Sequence, residues 1–439
     1  MRSRHNVSRR QFLTGAAGTA VGVVGFPYII NSSVLGKDGN VAPSQRITMG
    51  CIGVGWQGGS NMQQFLGLKD CRIVAICDVD KGHLQGAVNQ VNKRYGSQDC
   101  AAYGDYRELI ARDDIDAVSL GLPDHWHAIP AIAAARSGKD IFGEKPLSHD
   151  LREGRAMCET VTRYGRIWQT GSWQRSQAHF RKACELVRNG RIGKVHTVEV
   201  GLPSGHADFA GTKGQEQIVP PPEGLDFERW IGPAPYTPYR PALLHKNWRW
   251  VLDYGGGQLM DWVGHHVDIA HWGLGFDNTG PLEIEGHGEY PADGLYDSPT
   301  KYRLTAKYPD GVTMVIAGGH GDIRGGTKWI GDKGWVWVNR GNSLEAEPKE
   351  ILSEKLGPND IHLYESPGHW QDFLDGIKSR QATIAPCETA HRSATPGHLG
   401  RIAMWLGRKI RFNPETEEII GDPTATQMLG RAYRSPWHL

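Results

Sequence analysis

The stretch Gly53-Val54-Gly55-Trp56-Gln57-Gly58 decides the fold of the first part of the chain. The apolar run Arg46 to Ile52 before it predicts a buried strand, and Ser60 to Leu66 after it predicts a helix. In a strand–turn–helix unit, glycines allow a tight turn, a close approach of the backbone to a pyrophosphate, and packing of the helix on the strand. The helix N-terminus then faces the phosphate charge. The spacing therefore predicts a dinucleotide site.

The second predicted strand supplies the residue that selects the dinucleotide. The apolar run Arg72 to Cys77 is typical of a parallel strand buried on both faces, and it ends at Asp78. Asp78 lies about 20 residues after the last glycine, where this kind of fold places an acidic residue against the ribose hydroxyls. A carboxylate there also repels a 2′-phosphate. The sequence therefore predicts NAD rather than NADP.

Alternating strand and helix patterns continue from Arg46 to about Ser172 and predict an α/β unit with a doubly wound parallel sheet, the Rossmann fold. Ligands bind outside the carboxyl ends of the strands in such sheets. Two segments follow predicted strands, namely Pro123-Asp124-His125-Trp126-His127 and Gly143-Glu144-Lys145-Pro146. Both are expected at the mouth where the nicotinamide lies.

The rest of the chain does not continue the alternation of strand and helix patterns, and it predicts a second, α+β domain. Its strands are expected over 282–290, 302–308, 312–317 and 328–338, with Pro-Asp-Gly and Gly-Asp-Lys-Gly turns that favour a large, mainly antiparallel sheet. An open face on such a sheet is expected to be buried in an interface, and we expect a second copy of the chain to form that interface. A helix is expected over 398–409. The predicted boundaries are 44–172, 173–410, and an arm over 411–439 with an aromatic end.

One buried helix of the second domain carries polar residues that need a reason. Gly255-Gly256-Gly257 begins it, and Asp261, His265 and Asp268 follow at the i, i+4 and i+7 positions of one stripe. A carboxylate and an imidazole on one stripe can form an orienting and proton-transfer pair. The alternative is structural: Asp261 complements the helix dipole and His265 is a core histidine.

Composition excludes several classes of function. The formal charge of +1 and the absence of a basic stripe argue against nucleic acid as a partner. Seven cysteines are scattered without a disulfide framework or Cys-x-x-Cys metal spacing. Histidines 125, 127, 265, 266 and 271 leave a metal open as an alternative, but their spacing is not that of a ligand set, and we expect no metal.

The first 36 residues predict an export signal. Ser8-Arg9-Arg10-Gln11-Phe12-Leu13 and the small apolar residues that follow match a twin-arginine signal, which is recognised by an export machinery that carries folded proteins. The expected location is the periplasm. The alternative is an uncleaved signal that anchors the chain to the membrane, because no clean Ala-x-Ala site follows.

Taken together, the glycine turn with Asp78, the Glu144-Lys145-Pro146 segment, and the three glycines followed by Asp261 and His265 resemble the Gfo/Idh/MocA family of oxidoreductases. The likeness covers nearly everything after the signal. It implies that Lys145 binds the nicotinamide and the substrate oxygen, that His265 is the acid–base residue, and that Asp261 assists it. The cofactor-binding residues that it implies are Gly53, Gly55, Trp56, Gln57, Gly58, Asp78, Pro123, His125, His127, Glu144 and Lys145.

The chemistry of these side chains fits those roles. Oxidation of a secondary alcohol needs a base for the hydroxyl proton and a cation beside the oxygen, while the nicotinamide accepts the hydride. The expected activity is NAD-dependent oxidation or reduction of a sugar, a sugar derivative or a cyclitol. Two alternatives remain open: a glycosidase that uses bound NAD for transient oxidation and elimination, and a non-catalytic sugar-binding protein on the same fold.

Overall fold

The first sheet grows from the strands that flank the glycine turn. The computed structural model describes residue 42 and residues 45–439, so the predicted export signal lies outside the described residues. Within the unit Ile47–Leu439, six strands form a sheet in the order β3-β2-β1-β4-β5-β6, and every neighbouring pair is parallel. The strands are β1 Ile47–Ile52, β2 Cys71–Cys77, β3 Ala101–Tyr103, β4 Ala117–Leu120, β5 Asp140–Gly143 and β6 Trp168–Thr170.

Helices cover both faces of this sheet, as expected for the doubly wound fold. They are α1 Trp56–Gly67, α2 Lys81–Tyr95, α3 Tyr106–Ile110, α4 Ala128–Arg136 and α5 Leu151–Arg163. Two apolar clusters result: one places Phe65 of α1 against Phe142 of β5, and the other places Ile132 of α4 against Ile141 of β5. The predicted Rossmann architecture is confirmed.

The second sheet has nine strands in the order β13-β12-β11-β7-β10-β9-β8-β14-β15. All neighbouring pairs are antiparallel except β7 and β10, so the mainly antiparallel sheet is also confirmed. The strands are β7 Val195–Leu202, β8 Glu283–Glu289, β9 Lys301–Lys307, β10 Thr313–Gly318, β11 Gly326–Gly331, β12 Gly334–Asn339, β13 Ser343–Glu347, β14 Ile410–Asn413 and β15 Glu418–Ile419.

One face of this sheet is buried against helices, and the other is polar. Tyr302, Leu304 and Ala306 of β9 are buried in the main core of the second domain, whereas the alternate residues are half-exposed or exposed. The helices of this part are α6 Ala178–Arg188, α7 Phe227–Ile231, α8 Gly257–Trp262, α9 Asp268–Leu274, α10 His369–Ser379, α11 Cys387–Leu406 and α12 Pro423–Gln427. Among the described residues, no helix has both the length and the apolar character needed to cross a bilayer.

Short helical turns connect these elements. A π-helical turn, Val263–Val267, joins α8 to α9. Single 3₁₀ turns are formed by Asp124–Trp126, Trp173–Ser176, Pro241–Leu243, Asn247–Trp250, Pro309–Gly311 and Lys349–Ser353.

The long helix α11 corrects the helix expected over 398–409, because it begins eleven residues earlier and continues through Pro396. Proline and glycine lower helix propensity, so the sequence pattern did not predict the first half of α11. Small residues are nevertheless needed here. A Cβ atom on Gly397 would lie 2.6 Å from the sulfur of Met260, and one on Gly400 would lie 2.4 Å from Leu304. Tertiary packing thus overrides local propensity.

The glycine turn is held by backbone packing that no side chain can share. Gly53 has a positive φ of 75°, which favours glycine, and its carbonyl oxygen lies 1.9 Å from where a Cβ atom on Gly58 would stand. The third glycine of the motif therefore lets α1 approach the end of β1.

This packing predicts opposite effects for two alanine substitutions. We expect Gly58→Ala to lower the free energy of unfolding by about 1–3 kcal/mol, because the new methyl group must displace backbone. The control is Gly86→Ala within α2, where nothing lies within 4 Å of the added Cβ; it should raise stability by up to about 1 kcal/mol. Denaturant unfolding of both variants measures the difference, and equal stabilities would contradict the packing argument.

Candidate active site

A cavity of about 460 Å³ lies between the carboxyl ends of the parallel strands and the helical segment of the second domain. It brings together most of the residues predicted from the sequence. Those that line it are Gly53, Gly55, Trp56, Gln57, Asp78, Pro123, Glu144, Lys145, Asp261 and His265.

Three predicted residues lie elsewhere. Gly58 packs under the turn, as described above. The ring nitrogens of His127 lie 2.7 Å from the carbonyl oxygen of Pro146 and 2.9 Å from that of Leu122, and Nε2 of His125 lies 3.0 Å from the carbonyl oxygen of Trp230. Both histidines are buried, so the structure places them as supports of the strand-end loops, outside the cavity lining.

Asp78 ties the glycine turn to the end of β2. One carboxylate oxygen accepts the backbone N–H of Val54 at 2.8 Å, and the other accepts that of Asp80 at 2.9 Å. Burial raises the pKa of Asp78, although these two hydrogen bonds and the nearby His83 oppose it. The carboxylate lines the cavity where the ribose of a dinucleotide is expected.

A second group of polar side chains lies beside Asp78. Asp80, His83 and His245 place one possible metal-ligand atom each within 4.8 Å of one another. In the part of the chain that the structure describes, the five histidines weighed from the sequence form no such group. His245 has a positive φ of 59°, a rare backbone conformation for a residue with a side chain. All three side chains line the cavity, and they belong to its dinucleotide end.

At the other end, Lys145 and Asp261 meet across the two domains. The Lys145 ammonium nitrogen lies 2.7 Å from the Asp261 carboxylate and donates a second hydrogen bond, 2.9 Å long, to the Asp261 carbonyl oxygen. Arg249 approaches the same carboxylate at 3.2 Å. Burial alone would raise the pKa of Asp261, but the Lys145 and Arg249 charges outweigh it and lower that pKa to about 2. Asp261 is therefore an anion that holds two cations in the cavity.

His265 lies on the π-helical turn and is buried in the cavity wall. Burial, together with the charges of Lys145 and Arg340, lowers the pKa of His265 well below its ordinary value. Its Nδ1 atom has no hydrogen-bond partner among the described residues, and its ring packs against Trp262 with centroids 5.4 Å apart. The imidazole is therefore neutral in the folded protein, the state in which a ring nitrogen can accept a proton.

Asp268 does not join the stripe predicted from the sequence. Its carboxylate lies 2.7 Å from Nε of Arg175, whose Nη2 is also 2.7 Å from Asp277, and this ion pair is buried away from the cavity. The π-helical turn Val263–Val267 has more residues per turn than an α-helix. Asp268, seven residues after Asp261, therefore does not lie on the same face of the helix. Asp268 is thus a structural residue.

Sequence reasoning missed several groups of the cavity. Asp124 belongs to a segment expected at the mouth but was given no role there; it lines the cavity, and burial raises the pKa of that carboxyl to about 7 against the opposing charge of Arg249. The Arg340 guanidinium lies between the rings of Trp173 and Trp262, 4.5 and 4.4 Å from their centroids. The Trp-Arg-Trp pattern at 248–250 could have indicated that Arg249 lines a binding site. Arg340 follows a strand and belongs to no distinctive motif, so no sequence pattern indicated it.

The end of the arm forms part of the cavity wall. Trp437 lines the cavity and packs edge-on against Trp126, with ring centroids 4.8 Å apart. Arg434 anchors the arm, because its backbone N–H donates to the Pro233 carbonyl and its side chain to that of Gly232, both at 3.0 Å.

Two family models match the chain. Residues 47–172 match the Gfo/Idh/MocA model described as an oxidoreductase family, NAD-binding Rossmann fold, and residues 176–439 match the model described as an oxidoreductase family, C-terminal alpha/beta domain. Together they cover nearly all the described residues.

Curated relatives match over a shorter segment. An α-N-acetylgalactosaminidase of Shewanella oneidensis is 35% identical over 173 residues, and a glycosyl hydrolase family 109 protein of Shewanella sp. (strain ANA-3) is 34% identical over 173 residues. Each alignment covers 36% of this chain and 38% of the relative, so the chain spans well under half the length of these relatives.

Solved structures share the fold over most of the chain. Aldose–aldose oxidoreductase from Caulobacter crescentus aligns with a TM-score of 0.60 at 19% identity, covering 84% of this chain and 100% of that one. Myo-inositol 2-dehydrogenase from Lactobacillus plantarum aligns with a TM-score of 0.58 at 18% identity, also over 84% and 100%.

The position of Asp78 predicts the cofactor preference of the site. NAD should bind more tightly than NADP, and Asp78→Ser should shrink that gap by removing the ribose hydrogen bonds and the repulsion of a 2′-phosphate. Calorimetry with both dinucleotides measures the gap. Asp114→Ser, a change of an exposed aspartate outside the cavity, is the control. Equal NAD and NADP affinities in the unmodified chain would refute this assignment.

Proposed function

Since the chain belongs to the Gfo/Idh/MocA family of oxidoreductases and its first domain is an NAD-binding Rossmann domain, we propose that it transfers a hydride between NAD and a secondary hydroxyl of a sugar, a sugar derivative or a cyclitol. The contact between Lys145 and Asp261 carries this proposal. It places a fixed cation in the same cavity as the glycine turn, at the strand end where a nicotinamide binds.

Lys145 and His265 have different roles toward the substrate. Lys145, held by Asp261, places positive charge beside the substrate oxygen and stabilises the alkoxide that develops as the hydride leaves. His265 is neutral in the folded protein and takes the hydroxyl proton. Bound NAD supplies the hydride acceptor.

The walls of the cavity orient the substrate and reduce its access to water. Indole rings of Trp173 and Trp262 flank His265, at centroid distances of 6.1 and 5.4 Å. Aromatic faces pack against the C–H face of a sugar ring, while Arg249 and Arg340 offer N–H donors to its hydroxyls. A polar, non-aromatic ring bearing several hydroxyls suits this mixture.

A redox-neutral glycosidase is the second candidate. It would oxidise the sugar, eliminate the leaving group, add water to the resulting unsaturated ketone, and return the hydride. The α-N-acetylgalactosaminidase relative supports it through the aligned 173 residues. A sugar-binding protein without catalysis is disfavoured, since Lys145, Asp261 and His265 share one cavity.

We propose also that the chain is exported by the twin-arginine machinery to the periplasm and that it pairs with copies of itself. The motif at residues 8–13 supports export of a protein that has folded around its cofactor. The second sheet supports self-association, because the helices of the chain do not cover one of its two faces.

Substitution of the two central residues tests the catalytic assignment. Lys145→Ala and His265→Ala should each lower turnover by about 100-fold or more while the fold is retained, a typical loss for a positioned acid–base group. Matched controls are Lys307→Ala and His287→Ala, both exposed on the second sheet and outside the cavity. Unchanged turnover in both cavity variants would contradict the assignment of catalysis to Lys145 and His265, and absence of any turnover in the unmodified chain would favour the sugar-binding alternative.

Isotope labelling separates the two enzymatic candidates. A dehydrogenase accumulates NADH in proportion to oxidised product. The glycosidase releases the leaving group with no net NADH, and in deuterated water it places deuterium at the carbon next to the oxidised one, because elimination passes through an enolate. Absorbance at the NADH band and mass spectrometry of the product distinguish these outcomes.

Export has its own test. Replacement of Arg9 and Arg10 by Lys should leave a folded, NAD-binding protein inside the cell, because the signal is recognised by a receptor and is not part of the described core. Cell fractionation measures this. Undiminished arrival of the double variant in the periplasm would point to another route.

A further inference from the structure

Two buried cysteines meet where the two domains pack together. Cys158 lies on α5 of the parallel-sheet domain, and Cys387 is the first residue of α11. Their sulfur atoms are 3.3 Å apart, although 229 positions separate the two residues in the sequence. All seven cysteines are among the described residues, and the other five make no sulfur–sulfur contact of this kind. Spacing along the chain could not have revealed this pair.

The packing of α5 on α11 brings the two thiols together. Gly154 and Cys158 are four residues apart on α5, and Cys387 and His391 are four residues apart on α11, so each pair lies on one face of its helix. A Cβ atom on Gly154 would lie 2.5 Å from Nδ1 of His391. The two helices therefore pass each other in opposite directions and are in close contact over two successive turns.

An ion pair beside the cysteines holds the two helices in register. The Arg155 guanidinium donates two hydrogen bonds of 2.8 Å to the two oxygens of the Glu388 carboxylate, and Glu388 directly follows Cys387. The same guanidinium lies 2.6 Å from the Glu417 carboxylate. Bidentate contacts of this kind fix the relative orientation of two groups. The approach of the two sulfurs is thus set by neighbouring contacts that do not involve the thiols.

The surroundings of the pair argue against two other roles of paired cysteines. Cys158 and Cys387 are 3% and 4% exposed and belong to an apolar cluster with Met157 and Val161. Within residues 45–439, no group of three metal-ligating side chains includes either thiol, so the pair lacks the further ligands of a structural zinc site. Burial raises the pKa of Cys158 well above its ordinary value, which does not suit a catalytic thiol.

A covalent bond between the two sulfurs is within reach. Bonded sulfur atoms are about 2.05 Å apart, so the two atoms must approach each other by about 1.2 Å. Rotation about χ1 moves each sulfur while the helix backbones stay in place. The contacts of Arg155 and Gly154 with α11 can therefore be kept while the bond forms.

We propose that Cys158 and Cys387 form a disulfide bond that links α5 of the first domain to α11 of the second when the protein meets a disulfide oxidant. The thiolate of one cysteine attacks the oxidant, forms a mixed disulfide and releases one thiol. The second cysteine then attacks the protein sulfur of that mixed disulfide and releases the other thiol. The protein loses two hydrogen atoms, and one oxidant disulfide is reduced to two thiols.

The compartment in which the bond forms rests on the proposed export, because disulfides persist in the periplasm and are rare in the cytoplasm. The capacity of the pair to form the bond depends neither on export nor on the catalytic proposal, since neither cysteine lines the main cavity. A cross-link between residues so far apart in the sequence restricts the unfolded chain, so we expect it to stabilise the folded protein.

Peptide mapping tests the bond. The chain recovered from the periplasm is alkylated with iodoacetamide in denaturant without reductant, digested, and analysed by mass spectrometry. We expect linked peptides that contain Cys158 and Cys387 and separate on reduction, with the other five cysteines alkylated. The variant with Arg9 and Arg10 replaced by Lys, recovered from the cytoplasm, should contain both residues as thiols, and oxidised glutathione should convert them to the linked form.

Thermal unfolding measures the effect of the bond on the folded protein. Reduction should lower the Tm of the unmodified chain by roughly 5 °C. Cys158→Ala should abolish this redox-dependent shift. The matched control is Cys184→Ala, a buried cysteine whose sulfur contacts the Ile269 carbonyl and no other sulfur, and this variant should retain the shift.

Three results would overturn the proposal. Cys158 and Cys387 could remain thiols after equilibration with excess oxidised glutathione, the map could show either one bonded to a different cysteine, or the redox-dependent shift could persist in Cys158→Ala. The map needs no variant of the pair, so it decides the question even if Cys158→Ala does not fold. Failure of export is seen separately, as absence of the chain from the periplasm, and the glutathione experiment then decides.

Discussion

The contact between Lys145 and Asp261 joins the two halves of this molecule at the point where the chemistry is proposed to occur. Lys145 follows β5 of the parallel sheet, and Asp261 lies on α8 of the second domain, so the ion pair fixes how strand ends and helix face each other. Both side chains are mostly removed from water. Burial of two charges brings little net stability, yet removal of one partner commonly costs about 3–5 kcal/mol. A pair of this kind is more readily explained by function than by stability.

The rest of the site follows from this constraint. Arg249 shares the Asp261 carboxylate, and the charges of Lys145 and Arg340 help to keep His265 neutral. The charges in the cavity thus depend on one another. The Asp261 carboxylate holds the cations in place, and the positive charges favour the neutral form of the His265 imidazole. Exchange of any member would alter the others, so we expect that the effects of substitutions at these positions do not add.

The local parts of this arrangement could be predicted from the sequence, and the long-range parts could not. The glycine turn, Asp78 and Lys145 lie in short segments whose spacing has a direct physical meaning, and the structure brings them to one cavity. The helix with Asp261 and His265 was found by its polar residues, but its π-helical turn was not, because that irregularity depends on packing. Asp268 was therefore grouped with the wrong face. Arg340 and Trp437 reach the cavity from distant parts of the chain without a motif. The glycines of α11 pack against Met260 and Leu304, which no local pattern encodes.

The packing of Trp437 on Trp126 has a consequence for how the protein matures. The wall of the dinucleotide groove includes Trp437, and its contact with Trp126 joins residues about 310 positions apart in the sequence. During synthesis the parallel sheet leaves the ribosome long before that wall can form, and contacts of such separation are the slowest to be made. The nascent Rossmann domain thus passes through a period in which its groove is open on one side. The groove therefore gains this part of its wall only after the segment with Trp437 has been synthesised and has packed on Trp126.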